Sequence, residues 1–526
     1  MKNIKNTLSI FMLGLGLSAC HDLDVPVVTQ LTPEIFPQTA QQFVQAAGPT
    51  YNSFRGSFAV EYFFMQSIST DESIMPARGG NWYDNGRYEQ HHKHTWTPDN
   101  AHVSGTWNWL TTTISTSNQN IFLINKAPDS PAKLTSIAEL RTMRAICLFM
   151  MMDLWGNVPL SVTFGDATPA TLKPRAEVFA YIEKEVKEAI PNLDPAVGIA
   201  TYGRPNLYTA YSLLAKMYMN AEVYIGTPRW NDAIAACDQV INSGKYALES
   251  DYRKMFFVDN GPQIKEFIFA IPYDASAPNG LMFYARYSLP RSLRAKYSLN
   301  HTPSAPMSTL PEYYAHFNDP NDVRNRQWIT GKQYLYNGSP VIVKTTKQGF
   351  DEDYTGADKG AAIDYHVELT PDVIIKKPAN FDTGNDEKSW NMGYRNNKFY
   401  ADSTSATRNQ NNDVPLFRYA DIILLKAEAI LRGGSATGGQ TPLVLANQIR
   451  SIRKAATWSA VTLEDIYSER CRELAWETWH RNDMIRFGKF EGKWGVKTDS
   501  DIRKRIFPIP TTAIQLNPQL TQNPGY

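Results

Sequence analysis

Residues 206–243 read NLYTAYSLLAKMYMNAEVYIGTPRWNDAIAACDQVINS, and their spacing decides the fold class. Leu207, Ala210, Tyr211, Leu214, Met217, Tyr218 and Ala221 recur at intervals of three and four, which lays one apolar stripe along a helix over 206–225. Gly226-Thr227-Pro228 breaks that helix. Trp230, Ala233, Cys237 and Val240 then repeat the spacing, and Gly244 closes the second helix. Each stripe must be buried against more of the same.

The same pattern recurs on both sides. Leu140, Met143, Cys147, Met150 and Leu154 form one stripe, and Phe179, Ile182, Val186 and Ala189 another. Near the C-terminus, Ile423, Ala427 and Ile430 are followed by Leu445, Ala446, Ile449 and Ile452, and then by Tyr467, Cys471, Leu474, Ala475 and Thr478. Antiparallel helix pairs of this length, with Ala at close contacts, resemble tetratricopeptide units of irregular period. The expected class is all-α dominated, an irregular tetratricopeptide-like α-solenoid. Residues 38–243 make its N-terminal helical region and 417–526 a C-terminal helical region that completes the same domain. Between them, 244–416 reads as a loop-rich insertion with minor strands: Gly, Asn, Pro and Tyr clusters surround a probable strand at Glu266–Ala270 and a hairpin signal at Tyr336-Asn337-Gly338.

The N-terminus carries an address. Lys2 and Lys5 precede an apolar run from Leu8 to Leu17, too short to span a bilayer and of the length of a secretory signal. The run ends Leu17-Ser18-Ala19-Cys20, which is similar to the lipobox of bacterial lipoproteins. Residues 1–19 are thus read as a signal peptide and 20–37 as a linker lipidated at Cys20, an anchor that holds durably when several acyl chains are attached. The 526-residue chain has 53 Lys and Arg against 52 Asp and Glu, so no net field draws it to nucleic acid or to an anionic membrane surface. Cys147, Cys237 and Cys471 are far apart, each at an apolar helical position, and read as buried thiols, neither a disulfide framework nor a zinc site.

One stretch does not serve a helix. ARGGNWYDNGRYEQHHKHTW, residues 77–96, packs Trp82, Tyr83, Tyr88 and Trp96 among glycines, amides, histidines and arginines with neither helical spacing nor clean alternation. It lies between helices expected near 38–56 and 103–126. An excursion of that length in a compact domain is usually functional, and its aromatic content argues against disorder. His92 and His94 would share one face of a strand, but no further ligands complete a metal site, so no metal and no cofactor is expected.

Several strings together resemble the SusD/RagB family of outer-membrane glycan-binding lipoproteins. These are Phe507-Pro-Ile-Pro510 with Asn517-Pro518 and Gln522-Asn-Pro-Gly-Tyr526 at the end of the chain; Leu416-Phe-Arg-Tyr-Ala-Asp421 with Lys426-Ala-Glu-Ala429; Ser468-Glu-Arg470 with Glu473-Leu474 and Asp483-Met-Ile-Arg-Phe-Gly488; and Asp153-Leu-Trp-Gly-Asn-Val-Pro159. One departure is Glu477-Thr478-Trp479, where the family usually has glycine after the glutamate. The resemblance implies a surface-exposed, non-enzymatic lipoprotein that binds oligo- or polysaccharide and delivers it to a SusC-like TonB-dependent transporter in the outer membrane. It also implies that an aromatic from the region 71–100 forms one wall of the glycan site.

The chemistry of Trp82 fits that role. A sugar ring stacks its C–H face on an aromatic plane, while its hydroxyls match planar bidentate partners. Trp82 with Arg78, Asn81, Tyr83, Asp84 and Asn85 supplies both, and Gly79, Gly80 and Gly86 let the backbone present the ring. Tyr284 and Tyr287, with Tyr297, are candidates for a second wall, where alternating strand packing is the competing reading. Arg395, beside Tyr394, is a further candidate. Glu473, Glu477, Arg481, Asp483 and Arg486 invite a glycosidase reading, yet Glu477 and Arg481 are spaced for an ordinary helical ion pair. Asp71 and Glu72 are the other carboxylate pair near Trp82. A surface glycan hydrolase and a helical-repeat adaptor that binds only protein remain the alternatives.

Overall fold

A computed structural model describes residues 36–346 and 362–526. The signal segment, the lipobox with Cys20 and most of the linker lie outside the described residues.

Long helices at Ala40–Ser57, Ala101–Asn125, Pro131–Trp155 and Arg175–Ala189 form the first layer, each packed on the next. Their starts follow ordinary chemistry. Thr39 makes a capping box with Gln42, and Asn100 and Ser130 accept from backbone amides of the first turn. The quoted hairpin follows, with one correction: it is split, because Asn220 interrupts the first helix into Leu207–Met219 and Ala221–Ile225. The Asn220 side chain turns back to donate to the Lys216 carbonyl at 2.8 Å, the kind of local bond that competes with helix continuation. Trp230–Ile241 closes the hairpin against Leu207–Met219.

Tyr419–Leu431 packs on both members of that hairpin and on Pro442–Ile452 and Leu463–Leu474. The C-terminal helices thereby cover stripes laid down two hundred residues earlier. The fold is all-α dominated, an irregular α-solenoid of helix pairs. The strands form two-stranded pairs among the described residues, the longest being Phe267–Ile271 against Val414–Arg418, antiparallel, where the chain leaves the helical body and returns to it. The Tyr336-Asn337-Gly338 turn is present, with Leu335 N–H donating to the Ser339 carbonyl at 2.8 Å and Gly338 at φ +84°.

A second correction concerns the stripe that was read through Thr478. The helix ends at Leu474, and Trp476 and Thr478 both have left-handed backbone, φ +60° and +65°. Glu477 therefore does not pair with Arg481 along a helix. It is buried, with Lys398 Nζ at 2.5 Å and Arg418 Nε at 2.6 Å. Arg481 instead donates to the Arg505 carbonyl at 2.7 Å.

Candidate functional site

The 77–86 segment is fixed to the insertion by its backbone. Ala77 and Thr383 exchange strand-like bonds with their surroundings: Ala77 N–H donates to the Phe381 carbonyl and Thr383 N–H to the Ala77 carbonyl. The fully buried Asp382 carboxylate accepts from Gly79 N–H at 3.1 Å, Gly80 N–H at 2.7 Å and Gly384 N–H at 2.6 Å. Gly79 is required there, because it has φ +58° and an added Cβ would strike the Asn385 side chain.

Arg78 is corrected from a glycan contact to a clamp. It is fully buried, and its guanidinium donates to the carbonyls of Pro306, Ser389, Trp390 and Met392 at 2.7–3.3 Å and to the Ser308 hydroxyl at 3.3 Å. Burial pushes its pKa down to about 9. With its donors so engaged it holds the 77–82 turn against residues 306–308 and 389–392, and no face of it meets solvent.

The chain then reverses through residues with left-handed backbone. Trp82 has φ +69°, Asp84 +43° and Asn85 +57°, ahead of Gly86 at +75°. A bulky non-glycine residue in this region costs on the order of 1–3 kcal/mol and persists where the surroundings demand it. The result is a half-buried indole, with Asn81 and Asp84 exposed and Tyr83 half-buried around it. Trp82 meets Tyr88 at 6.2 Å and the edge of Tyr287 at 5.8 Å. Asp84 is bridged to Arg87 at 2.8 Å.

The segment read as a possible strand, 282–287, is instead a short helix, Tyr284–Ser288. Helical spacing sends Tyr284 inward, against Phe63 at 4.2 Å, Phe399 at 4.9 Å and Trp476 at 5.8 Å, so Tyr284 is a core residue and not a wall. Phe283, Arg286 and Tyr287 share the other face. Tyr287 is 4% exposed and supports the patch from below. The Arg286 guanidinium lies 5.5 Å from the Trp82 ring, 5.2 Å from Phe283 and 5.8 Å from Tyr287. Arg395 is fully buried and donates to the carbonyls of Met307 and Trp390, a second support and not a contact surface. Tyr297 belongs to a separate small core with Leu289 and Leu293.

Sequence reasoning missed Phe283, Arg286, Arg291 and Trp390. Arg291 lies 3.7 Å from the centre of the half-buried Trp390 ring, and the Trp390 backbone is joined to Trp82's own turn through Arg78. The i, i+3, i+4 spacing of Phe283, Arg286 and Tyr287 was the available signal.

The three histidines occupy a helix, Arg87–Lys93, and its left-handed C-cap His94, a correction to the strand reading. All are buried, and burial holds each pKa well below the ordinary range, to about 3 for His91 and His92. His94 Nε2 lies 2.9 Å from the Ser69 carbonyl oxygen, and His92 Nε2 accepts from Val496 N–H at 3.3 Å. They anchor neighbouring chain. Among the described residues no three His, Cys, Asp or Glu side chains gather as a metal site.

The other carboxylates are also interior. Glu72 accepts from Ser67 Oγ and from Trp476 N–H, and Asp71 lies 2.5 Å from His480 Nε2. His480 Nδ1 is 3.8 Å from Cys471 Sγ, a nucleophile–base–acid order in which the thiol is 2% exposed and out of reach of substrate. Cys147 and Cys237 are buried free thiols as well. A cleft of about 350 Å³, lined by Tyr51, Asn52, Tyr202 and Pro272, contains no indole. The half-buried rings suited to stacking are Trp82 and Phe283 beside Arg286, and Trp390 beside Arg291.

A sequence profile described as the SusD family matches residues 243–526. The starch-binding protein SusD of Bacteroides thetaiotaomicron is 24% identical, with 100% of this chain and 99% of that protein covered. Among solved structures, a laminarin binding SusD-like protein superposes with TM-score 0.69 at 21% identity, covering 92% of this chain and 99% of that one. Surface glycan-binding protein A from Bacteroides thetaiotaomicron, solved in complex with laminarihexaose, superposes with TM-score 0.69 at 20% identity, covering 92% and 100%. At such identities the superpositions establish the fold.

Proposed function

The chain belongs to the SusD family, and from that premise we propose that it is a non-enzymatic surface lipoprotein that captures oligo- or polysaccharide on the Trp82 patch. The observation that carries this is the half-buried indole held at φ +69° beside a turn that Asp382 fixes at Gly79 and Gly80 and Arg78 clamps to the insertion. That arrangement presents an apolar face flanked by Asn81, Tyr83 and Asp84, which suits C–H stacking with a rim of hydroxyl contacts. Relatives that bind starch and laminarin support the ligand class. Few contacts on an open surface imply modest affinity, which suits a component that must release its ligand.

The finer parts of the proposal rest on the family and on the N-terminal sequence. Acylated Cys20 tethers the protein to the outer face of the outer membrane, and the helical body docks on a SusC-like TonB-dependent transporter that imports the glycan. The test is a glycan array probed with the purified protein and with Trp82→Ala. Binding that depends on Trp82 and leaves the glycan intact supports the proposal. Cleavage of a bound glycan would point to the hydrolase, and no glycan bound at all to the protein-only adaptor.

A further inference from the structure

We infer that the Trp82 patch is built for a negatively charged saccharide, one that carries uronate carboxylates or sulfate esters. The inference rests on the carbohydrate reading above and narrows it. The chain as a whole is balanced, 53 basic residues against 52 acidic, yet residues 275–311 contain Arg286, Arg291, Arg294, Lys296 and His301 and no Asp or Glu. This is the segment that supplies the patch with Phe283, Arg286, Tyr287 and Arg291.

Among the described residues none of these cations has a carboxylate oxygen within 4 Å, in contrast to the buried arginines of the core. Buried Arg324, Arg418, Arg453, Arg470 and Arg486 each lie within 3.0 Å of a carboxylate oxygen. The Arg286 guanidinium makes no hydrogen bond or ion pair among the described residues, and its Nε is buried without a partner while three aromatic rings surround it. The Arg291 guanidinium lies over the Trp390 face and makes no hydrogen bond or ion pair within 4 Å among the described residues. Arg294 spends its donors on the Leu299 and Asn300 carbonyls and on Thr302. His301 lies near the same cations: after burial itself the positive charges of Arg408, Arg286 and Arg294 push its pKa down, against the backbone of Thr407, which raises it. No carboxylate pairs with Arg286 among the described residues: nearby Asp84 is bridged to Arg87 and burial raises the Glu61 pKa, while Glu387 offsets part of the charge on Arg291.

A partly buried guanidinium without an anion carries an uncompensated desolvation cost. A carboxylate or sulfate removes that cost through paired N–H donors while the sugar face rests on the indole, and the rings themselves favour the cation. Neutral hydroxyls accept from the same donors with about half the strength. The Arg286 guanidinium, set against the Trp82 indole, thus matches a charged group on the sugar that rests there, and Arg291 over Trp390 is a second cation of the same acid-free segment.

The experiment is titration calorimetry of the protein against oligogalacturonates and chondroitin sulfate oligosaccharides, each beside its carboxyl-reduced or desulfated form, with laminari- and malto-oligosaccharides as neutral glucans. The expected result is an acidic oligosaccharide that binds roughly tenfold or more tightly than its neutralised form, with affinity falling severalfold between about 50 and about 300 mM salt. Arg286→Met should remove most of that preference, and the exposed Arg291→Gln, which leaves melting unchanged, should reduce it. Equal or tighter binding of neutral glucans, insensitive to salt and lost in Trp82→Ala, overturns the charge inference and leaves the carbohydrate reading standing. Binding of no saccharide of either kind overturns both.

Discussion

The Trp82 indole stands edge-on to Tyr287, the two rings at 87° with centroids 5.8 Å apart. Tyr287 is sealed at 4% exposure, and Trp82 is not. The buried ring sets the angle of the half-exposed one. Trp82→Ala should weaken glycan binding by about 2 kcal/mol or more, roughly thirtyfold, as expected of an aromatic anchor. The midpoint of thermal unfolding should move by no more than about 3 °C. Calorimetry and melting curves of the two proteins check both; a large drop in melting temperature with unchanged binding would make the ring a structural plug.

Arg78 makes its effect through the turn. Its guanidinium joins residues 77–82 to carbonyls more than two hundred residues away, at Pro306, Ser389, Trp390 and Met392. Arg78→Met leaves those buried carbonyls without their donor and should destabilise the protein by about 3 kcal/mol. Glycan affinity should fall although Arg78 touches no ligand, and hydrogen exchange at Gly79–Tyr83 should accelerate. Unchanged exchange with reduced binding would instead indicate a direct contact.

These two residues show what the sequence disclosed. Helix pairs such as 207–241 were legible because their periodicity is local and long. Trp82 stands out in the sequence because rings among glycines have no use in a helix, and the structure leaves its ring half-buried outside one. Arg78, Tyr284 and Arg395 carry the residue types of a binding wall, but burial is decided by partners remote in sequence, and the structure turns all three inward. The Trp390 backbone is tied to the Trp82 turn through a bond spanning 312 positions, which no local pattern contains. The His91–His94 run was misread because a seven-residue helix with left-handed ends is too short to show a period.

Acid should unfold the protein through its buried ion network. Burial alone would raise the Glu473 carboxyl pKa, but Arg453, Arg418 and Arg324 overcome it and hold the group well below its ordinary 4.5; Glu469 and Glu428 are lowered by their own arginines. A carboxylate depressed in the fold contributes stability above its unfolded pKa and loses it as pH falls through the folded value. Stability should therefore decline below about pH 4.5. Glu473→Gln removes the carboxylate that three buried guanidinia share, while Arg324 keeps Asp322 and Glu469, and Arg418 and Arg453 keep Glu266; it should cost about 3 kcal/mol at pH 7, with a shallower acid limb than the parent. Urea unfolding at neutral and acid pH tests this; a variant as stable as the parent at pH 7 would refute the role of the network.

Thr478 stands at φ +65°, in the left-handed region, immediately after Glu477 of that network. A β-branched side chain is the least suited to this backbone, and its hydroxyl bonds only the Glu477 carbonyl at 2.6 Å. The turn is held there because Glu477 must reach Lys398 and Arg418 while Trp479 Nε1 donates to the Leu416 carbonyl at 2.9 Å. Strain is thus tolerated for the sake of the two neighbours. Glycine adopts the same backbone freely, which accounts for its place after the glutamate in the family the sequence resembles. Thr478→Gly should raise stability by about 1 kcal/mol, the relief of strain exceeding the added entropy of the unfolded chain. Thr478→Ala, which keeps a Cβ at positive φ, should gain less. Urea midpoints of the three proteins order these effects, and a Gly variant less stable than the parent would show that the threonine hydroxyl outweighs the strain.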